Sequence, residues 1–565
     1  MYDCFPVFPL GDGLIHEGFA GLAKHLSLEK TVIIDGYHGV FFEDFRKNLD
    51  KCFRASGLNV SWQDAGRAML PSKEISRLIE PFLGGEDPLF GTRCTLRLAE
   101  LFDAEKFGNM QPDPGADLNI IYGPGASLSG WEGCLIYIDL PKNVMQYRGR
   151  AGSISNLGAR EPAHPKSMYK RFYFIDWILL NRHKDEISDT VDVVVDGQKP
   201  GTICWIEGDD FRSALNSMSR NLFRVRPWFE PGAWGGTWMK EHIPGLRTDV
   251  PNYAWSFEMI VPENGLLLES SGNSLEISFD WLMFLEAAWV LGDCHMRFGK
   301  EFPIRFDFLD TFNGGNLSVQ CHPQEEYIQK KFGENFAQQE AYYILDTKDN
   351  ALVNLGFVEN INPEEFKKNL EKSAAEKTPL DIAEFVQQFP VSKHDFFLIP
   401  EGTIHGSGAN NLVLEISTTP YIFTFKMYDW LRMNLDGKPR DLNIARAMVN
   451  LDFERKGEVI RRDFISKPVP ADEGPGWKKF HLPTHCLHYY DVWRYYITTS
   501  AYIETNNKCH VLNLVEGEGI LVETRNGMSM KFSYAETFAI PAAAGGYSLS
   551  SQSGAEAVVV IAFIK

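Results

Sequence analysis

The chain has 565 residues, 44% of them hydrophobic and 23% charged, and a formal net charge of −19. That length exceeds what one hydrophobic core serves, so two to four domains are expected, and the acidity argues against nucleic acid or an anionic membrane as a partner. No apolar run reaches the roughly 18 residues that span a bilayer, and the first residues lack the basic-then-apolar pattern of a signal peptide. The nine cysteines are scattered with no CxxC pair, which reads as reduced thiols in a cytoplasmic protein rather than a disulfide scaffold.

Three blocks follow one another. In residues 1–215, "TVIIDGYHGV" reads as a buried strand and "FFEDFRKNLDKCFRAS" as an amphipathic helix closed by Gly57. "LNIIYGPGASLSG" is a strand entering a Gly-rich turn, and "CLIYIDL" and "DTVDVVVDG" are further strands. Apolar strands alternating with helices predict an α/β layer domain. Gly125 and Gly130 have the spacing of a phosphate-binding loop, but Trp131 and Glu132 stand where Lys and Ser/Thr are needed, and a strand follows. The turn is therefore read as an ordinary tight turn. "RHKDEI", from Arg182, reads as an exposed helix face with opposite charges three or four apart. The block faintly resembles a nucleoside-kinase-like domain without its phosphate loop. Its role is left open between self-association, regulation and binding of another small molecule.

Residues 216–480 are strand-rich, with a helical insert at about 363–389. Residues 481–565 alternate apolar and polar positions between Gly-rich turns, the pattern of a small β-barrel or jelly roll.

The chemistry concentrates in "SVQCHPQEEYIQKKFGENFAQQEAYYIL", which begins at Ser318. Side chains two apart on a strand face the same way, so Gln320 and His322 project together. Buried polar groups cost free energy unless something satisfies them, and a metal ion would. Glu340 opens the next strand. Pro400, Gly402 and His405 form a P-x-G-x-x-H turn between two later strands. Gln320, His322, Glu340 and His405 make a mixed N/O donor set that suits zinc, with manganese or iron as alternatives.

The region from about 228 to 450 resembles the type I mannose-6-phosphate isomerases, which are zinc-dependent cupins. The matching stretches are "WGGTWM", "SVQCHPQEEYIQKKFG", "EAYYILD", "IPEGTIHGSG", "LVLEIS" and "YDWLRMNLDGKPRDLNIARA". The resemblance implies a cupin (jelly-roll β-barrel) catalytic domain with a helical insert and a C-terminal small cupin domain without a histidine pair, which with the N-terminal α/β layer domain make a mixed α/β and β fold. It implies interconversion of mannose 6-phosphate and fructose 6-phosphate through an enediol. It also implies one zinc ion on Gln320, His322, Glu340 and His405. Lys426 and Arg432 are the candidate catalytic residues. Ser318, Arg305, Lys438 and Arg440 are the candidates for holding the substrate.

The chain departs from that pattern at two lysines and an arginine. Gln338 and Asp307 stand where relatives carry lysines, and Lys426 where they carry arginine. Lysine is a point charge where arginine is a two-pronged fork, and a carboxylate repels phosphate. The expected partner is thus a small-molecule sugar or sugar phosphate, with a homo-oligomer left open. The alternatives are a metal-dependent isomerase of a different or neutral sugar, and a non-catalytic sugar sensor.

Overall fold

The structure is a computed structural model that describes every residue except Pro262, Thr419, Tyr421 and Ser553. It is a mixed α/β assembly of several sheets, and the chain divides into two compact units. One gathers Pro6–Met218 and Pro262–Ala287; the other gathers Met1–Phe5, Ser219–Val261 and Ala288–Lys565.

The first unit is built on a seven-stranded sheet. Its strands lie in the order Ile15–Glu17, Cys204–Glu207, Val193–Asp196, Cys134–Asp139, Thr31–Gly36, Leu118–Tyr122, Val60–Asp64. The last five are parallel, and the Cys204–Glu207 strand pairs antiparallel with both its neighbours. Parallel strands covered on both faces need unbroken apolar runs, which "VIID", "NIIY" and "LIYI" supply. The helix Phe42–Ala55 turns Phe45, Leu49 and Phe53, four apart, into the same core as Val32, Ile34 and Ile136.

A buried ion pair ties this sheet to the Gly-rich turn. Asp35, at the carboxyl end of the Thr31–Gly36 strand, accepts from Gly125 N (2.8 Å), Ser127 N (3.0 Å) and Ser127 Oγ (2.6 Å), and meets His183 Nε2 at 2.9 Å. The amides that could have cradled a phosphate are therefore already occupied by a carboxylate. The expectation of an exposed face at 182–187 fails here: His183 and Lys184 are buried, and Lys184 Nζ donates to Asp139 at 2.7 Å. Charges three or four apart on a helix look solvated only while the partners on neighbouring strands are unknown.

The second unit holds two pairs of antiparallel sheets. A seven-stranded sheet runs Ile465–Ser466, Phe396–Ile399, Glu340–Thr347, Asn411–Thr418, Ile304–Asp310, Trp255–Met259, Trp228–Glu230. A five-stranded sheet runs Val386–Pro390, Leu352–Phe357, His405–Ser407, Val319–Cys321, Phe425–Tyr428. Tyr342, Ile344 and Val413 of the first sheet share a core with Val353, Leu355 and Phe389 of the second. The expected helical insert is shorter than its sequence suggested. The helix stops at Glu376, and Val386–Pro390 is an edge strand. The segment after residue 468 forms a six-stranded and a four-stranded sheet around one core, with Leu512, Val559 and Ile561 facing Val522, Tyr547 and Leu549. Among the described residues no helix is long and apolar enough to cross a membrane.

Two predictions concern the first unit. Asp35→Ala leaves His183 buried without its carboxylate and frees the turn amides, so it should cost about 3–5 kcal/mol. The double variant Asp35→Ala, His183→Leu should recover part of that loss in denaturant unfolding; additive losses would mean the pair is not coupled. The second concerns Glu263, whose carboxyl, near Gln146 and Tyr169, is pushed up to about 7 by burial. The folded chain holds that proton where the unfolded chain has released it, so stability falls as pH rises from the ordinary value near 4.5 to about 7. Glu263→Gln should therefore raise the melting temperature at pH 8, by a free energy on the order of 3 kcal/mol, and leave it unchanged near pH 4. An equal shift at both pH values would rule out the buried proton.

Candidate metal centre

Gln320 lies on the strand Val319–Cys321, and His322 follows it directly. The strand pairs with His405–Ser407 so that Gln320 stands opposite His405. Glu340 begins a strand of the other sheet. The centre is thus assembled between two sheets from segments far apart in sequence.

The turn that delivers His405 is braced on both sides. Gly402 has φ +76°, and a Cβ there would lie 2.7 Å from the Asn450 carbonyl oxygen, so only glycine fits. Its amide donates to the His322 carbonyl (2.9 Å), which couples the turn to the other histidine's backbone. Arg455 donates to Pro400 O (3.0 Å) and to Glu401 O (2.5 Å).

His322, Glu340 and His405 are buried, and their ligand atoms all lie within 4.8 Å of one another. His322 Nδ1 faces the Phe423 carbonyl oxygen at 3.2 Å, and His405 Nδ1 faces the Thr403 carbonyl oxygen at 2.9 Å. A carbonyl only accepts, so each Nδ1 carries the hydrogen and each Nε2 presents its lone pair. Both Nε2 atoms point at Glu340 Oε2, in direct contact for His322 and at 3.3 Å for His405. Burial pushes the Glu340 carboxyl up, and only positive charge at the two imidazoles pulls it well below the ordinary range. Burial lowers the His322 pKa against the pull of Glu340, which disfavours a doubly protonated ring. Two lone pairs and a carboxylate oxygen converging in a buried space call for a cation. The residues present therefore fit a divalent metal ion.

Gln320 Nε2 is 3.3 Å from His405 Nε2, while its Oε1 accepts from Ser318 Oγ at 2.9 Å. A half-turn of the amide exchanges its oxygen and nitrogen; it would aim Oε1 at the centre and let Ser318 accept instead.

Beside the centre lies a second buried cluster. Across the sheet, Glu340 and Arg305 are both opposite Ser417, and Tyr342 and Asp307 are both opposite Glu415. Arg305 is in direct contact with Glu415 and 3.3 Å from Asp307. Gln338 Nε2 donates to Glu415 at 3.3 Å, and Ser417 Oγ donates to it at 2.9 Å. Burial pushes Asp307 up to about 6 and Glu415 well above the ordinary range, with Arg305 opposing both shifts. Glu415 and Ser417 escaped the sequence reading. They carry the signal that exposed Gln320 and His322: polar residues two apart in an otherwise apolar strand, "LVLEIS".

The remaining candidates fall in different places. Lys426 is opposite Gln320 on the neighbouring strand and half-buried. Asp429 holds both Arg432 (2.6 Å) and Arg440 (2.9 Å), and Arg432 also caps the Asn316 carbonyl. Lys438 is exposed, 3.9 Å from Asp436.

Comparison with known proteins gives two separate likenesses. Residues 18–220 match a family described as a domain of unknown function, DUF8485. The chain is 28% identical over 343 residues, 59% of its length and 96% of the relative, to the probable mannose-6-phosphate isomerase GmuF of Bacillus subtilis (strain 168). It is 24% identical over 54% of its length to the mannose-6-phosphate isomerase ManA of the same organism, covering 89% of that protein. The crystal structure of the mannose 6-phosphate isomerase from Bacillus subtilis aligns with 61% of this chain and 100% of its own, at 18% identity and a TM-score of 0.48. The chain is thus homologous, at low identity, to several mannose-6-phosphate isomerase-like proteins.

Proposed function

We propose that the chain is a metal-dependent aldose–ketose isomerase of the mannose-6-phosphate isomerase type. On this reading 216–480 is a cupin domain carrying the site, 481–565 a small cupin domain, and 1–215 a nucleoside-kinase-like domain that has lost its phosphate loop. The compartment is the reducing cytoplasm. The observation that carries the reading is the pair of Nε2 lone pairs aimed at one carboxylate oxygen, each fixed by a backbone carbonyl at Nδ1.

His322, Glu340 and His405, with Gln320 as the fourth donor, would hold the ion, taken as zinc from the donor set, with manganese or iron as alternatives. When bound it supplies Lewis-acid polarisation of the sugar oxygens. The protein supplies the rest. The reaction moves a proton from C2 of the aldose to C1 of the ketose, so it needs a group that can both take and return one. Lys426 is the candidate for meeting the developing oxyanion, beside Gln320. Glu415, its pKa raised by burial, is positioned to keep a proton within the cluster. Gln338 Oε1 is buried with no hydrogen-bond partner among the described residues, which leaves an acceptor for a sugar hydroxyl. Arg432 and Arg440, gripped by Asp429, shape the segment 428–440, while Ser318 orients Gln320.

One observation favours the neutral-sugar alternative. The cation on this face, Arg305, is engaged by two carboxylates, and the positions of two family lysines carry Asp307 and Gln338. A phosphate therefore meets less positive charge here than the family pattern provides.

Two measurements test the proposal. His405→Ala should reduce bound metal below stoichiometry and abolish isomerisation of mannose 6-phosphate, and normal metal content in that variant would overturn the ligand assignment. The double variant Asp307→Lys, Gln338→Lys should raise kcat/KM for mannose 6-phosphate at least tenfold, equivalent to ~1.4 kcal/mol of transition-state stabilisation. No gain, with turnover of an unphosphorylated aldose, would transfer the assignment to a neutral sugar.

A further inference from the structure

Two neighbouring tyrosines on the strand Glu340–Thr347 differ in one respect: only one of the hydroxyls has a partner. Successive side chains of a strand point to opposite faces, so Tyr342 and Tyr343 look away from each other. Tyr343 OH meets His394 Nδ1 at 2.7 Å and accepts from Arg494 Nη1 at 3.3 Å. Tyr342 OH is buried and, among the described residues, has no hydrogen-bond partner. A buried tyrosine hydroxyl normally finds one, and phenylalanine would fill the same space without leaving a donor unpaired. Packing alone therefore does not account for the hydroxyl.

The surroundings fix where that hydroxyl is. The Tyr342 ring lies in the core shared by the two sheets, with Val353, Leu355, Phe397 and Val413. Its centroid is 5.9 Å from that of His405, and the two rings meet edge to face at 77°. Tyr342 and Glu340 are two apart on the strand, so they share the face that carries the candidate centre. The carboxylates around the phenol are Glu340 first, then Glu415 and Asp307. Burial and these charges raise its pKa well above the ordinary value, so the oxygen keeps its hydrogen and can act as a donor.

Glu340 supplies the matching acceptor. Its Oε2 faces both imidazole Nε2 atoms, while its Oε1 is buried with no hydrogen-bond partner among the described residues. Glu415, opposite Tyr342 in register, is the competing acceptor. Its Oε1 already accepts from Arg305, Gln338 Nε2 and Ser417 Oγ. An unpaired donor and an unpaired acceptor thus stand two residues apart on one face of one strand, and the acceptor belongs to a candidate metal ligand. Carboxylates that bind metal ions are themselves held by hydrogen bonds from the surrounding shell, and losing such a bond costs 10–100-fold in affinity as an order of magnitude.

We infer that Tyr342 is a positioning residue for the metal centre: its hydroxyl donates to Glu340 Oε1 and so keeps Oε2 turned toward the ion. The inference rests on the ligand assignment proposed above. A carboxylate free to turn can offer both oxygens to a metal and take up the position that a sugar oxygen needs, and one tied at Oε1 offers only Oε2. The full chain, stripped of metal and titrated with Zn2+ alone, tests this without any substrate. Tyr342→Phe should weaken Zn2+ at least tenfold in chelator competition. The melting temperature of the metal-free variant should equal or exceed that of the metal-free wild type, because an unpaired buried donor has been removed. A tyrosine with a merely structural role would do the reverse, lowering the metal-free melting temperature and leaving Zn2+ affinity alone. The loss of Zn2+ affinity should persist in a Glu415→Gln background. Unchanged Zn2+ affinity in Tyr342→Phe would overturn the inference, and so would a loss that disappears with Glu415→Gln, which would assign the hydroxyl to Glu415. Wild-type protein that takes up no stoichiometric Zn2+ is a separate failure, since it overturns the ligand assignment and this inference with it.

Discussion

The candidate centre depends on one electrostatic constraint: two imidazole lone pairs and a carboxylate oxygen meet among buried side chains. Each histidine's Nδ1–H is committed to a backbone carbonyl, so neither ring can relieve the conflict by changing tautomer. The backbone that fixes these tautomers is itself held. Gly402 bonds the carbonyl of His322, and Arg455 clamps the turn that carries His405. The arrangement costs free energy unless a positive charge enters it, and so the local fold is biased toward occupation.

That bias shows which parts of the sequence were informative. Gln320 and His322 were legible because strand periodicity is 2, so two polar residues in an apolar run share a face. Glu340 and His405 were legible only as members of an ordered set, because neither stands out in its own segment. Glu415 gave the same period-2 signal but was overlooked, as its partners Arg305 and Gln338 come from other strands and only register brings them together. The same limit explains "RHKDEI". Alternating charge on a helix cannot distinguish solvent from buried aspartates, and here Asp35 and Asp139 lie on two different strands. The strands of the first unit were plain from their apolar runs, but the order in which they pair was not, since long-range pairing leaves no local trace.

The helical insert shows a different limit. "PEEFKKNLEKSAAE" has a proline first turn, an Asn362 cap and apolar residues four apart, and it is a helix throughout. "VQQFP" continues the same polar-apolar texture, but it ends in proline and lies at a sheet edge, where proline's missing donor is tolerated. Tertiary pairing, not propensity, decided the boundary.

The charges around the centre carry the argument to substrate choice. Arg305 and Asp307 lie one strand period apart, so the face that carries Asp307 also carries a cation. That cation is not left available. The guanidinium is flanked by Asp307 and Glu415, whose pKa values burial raises, so the cluster gains protons more readily than it gains another anion. A phosphate entering there would have to displace a carboxylate from Arg305 or draw a proton into the cluster, and either route costs binding energy that the two absent lysines would have supplied. A neutral hydroxyl meets no such cost, and Gln338 Oε1 offers it an acceptor. On the proposed reading, the phosphate of a phosphorylated sugar is therefore held away from strand Ile304–Asp310.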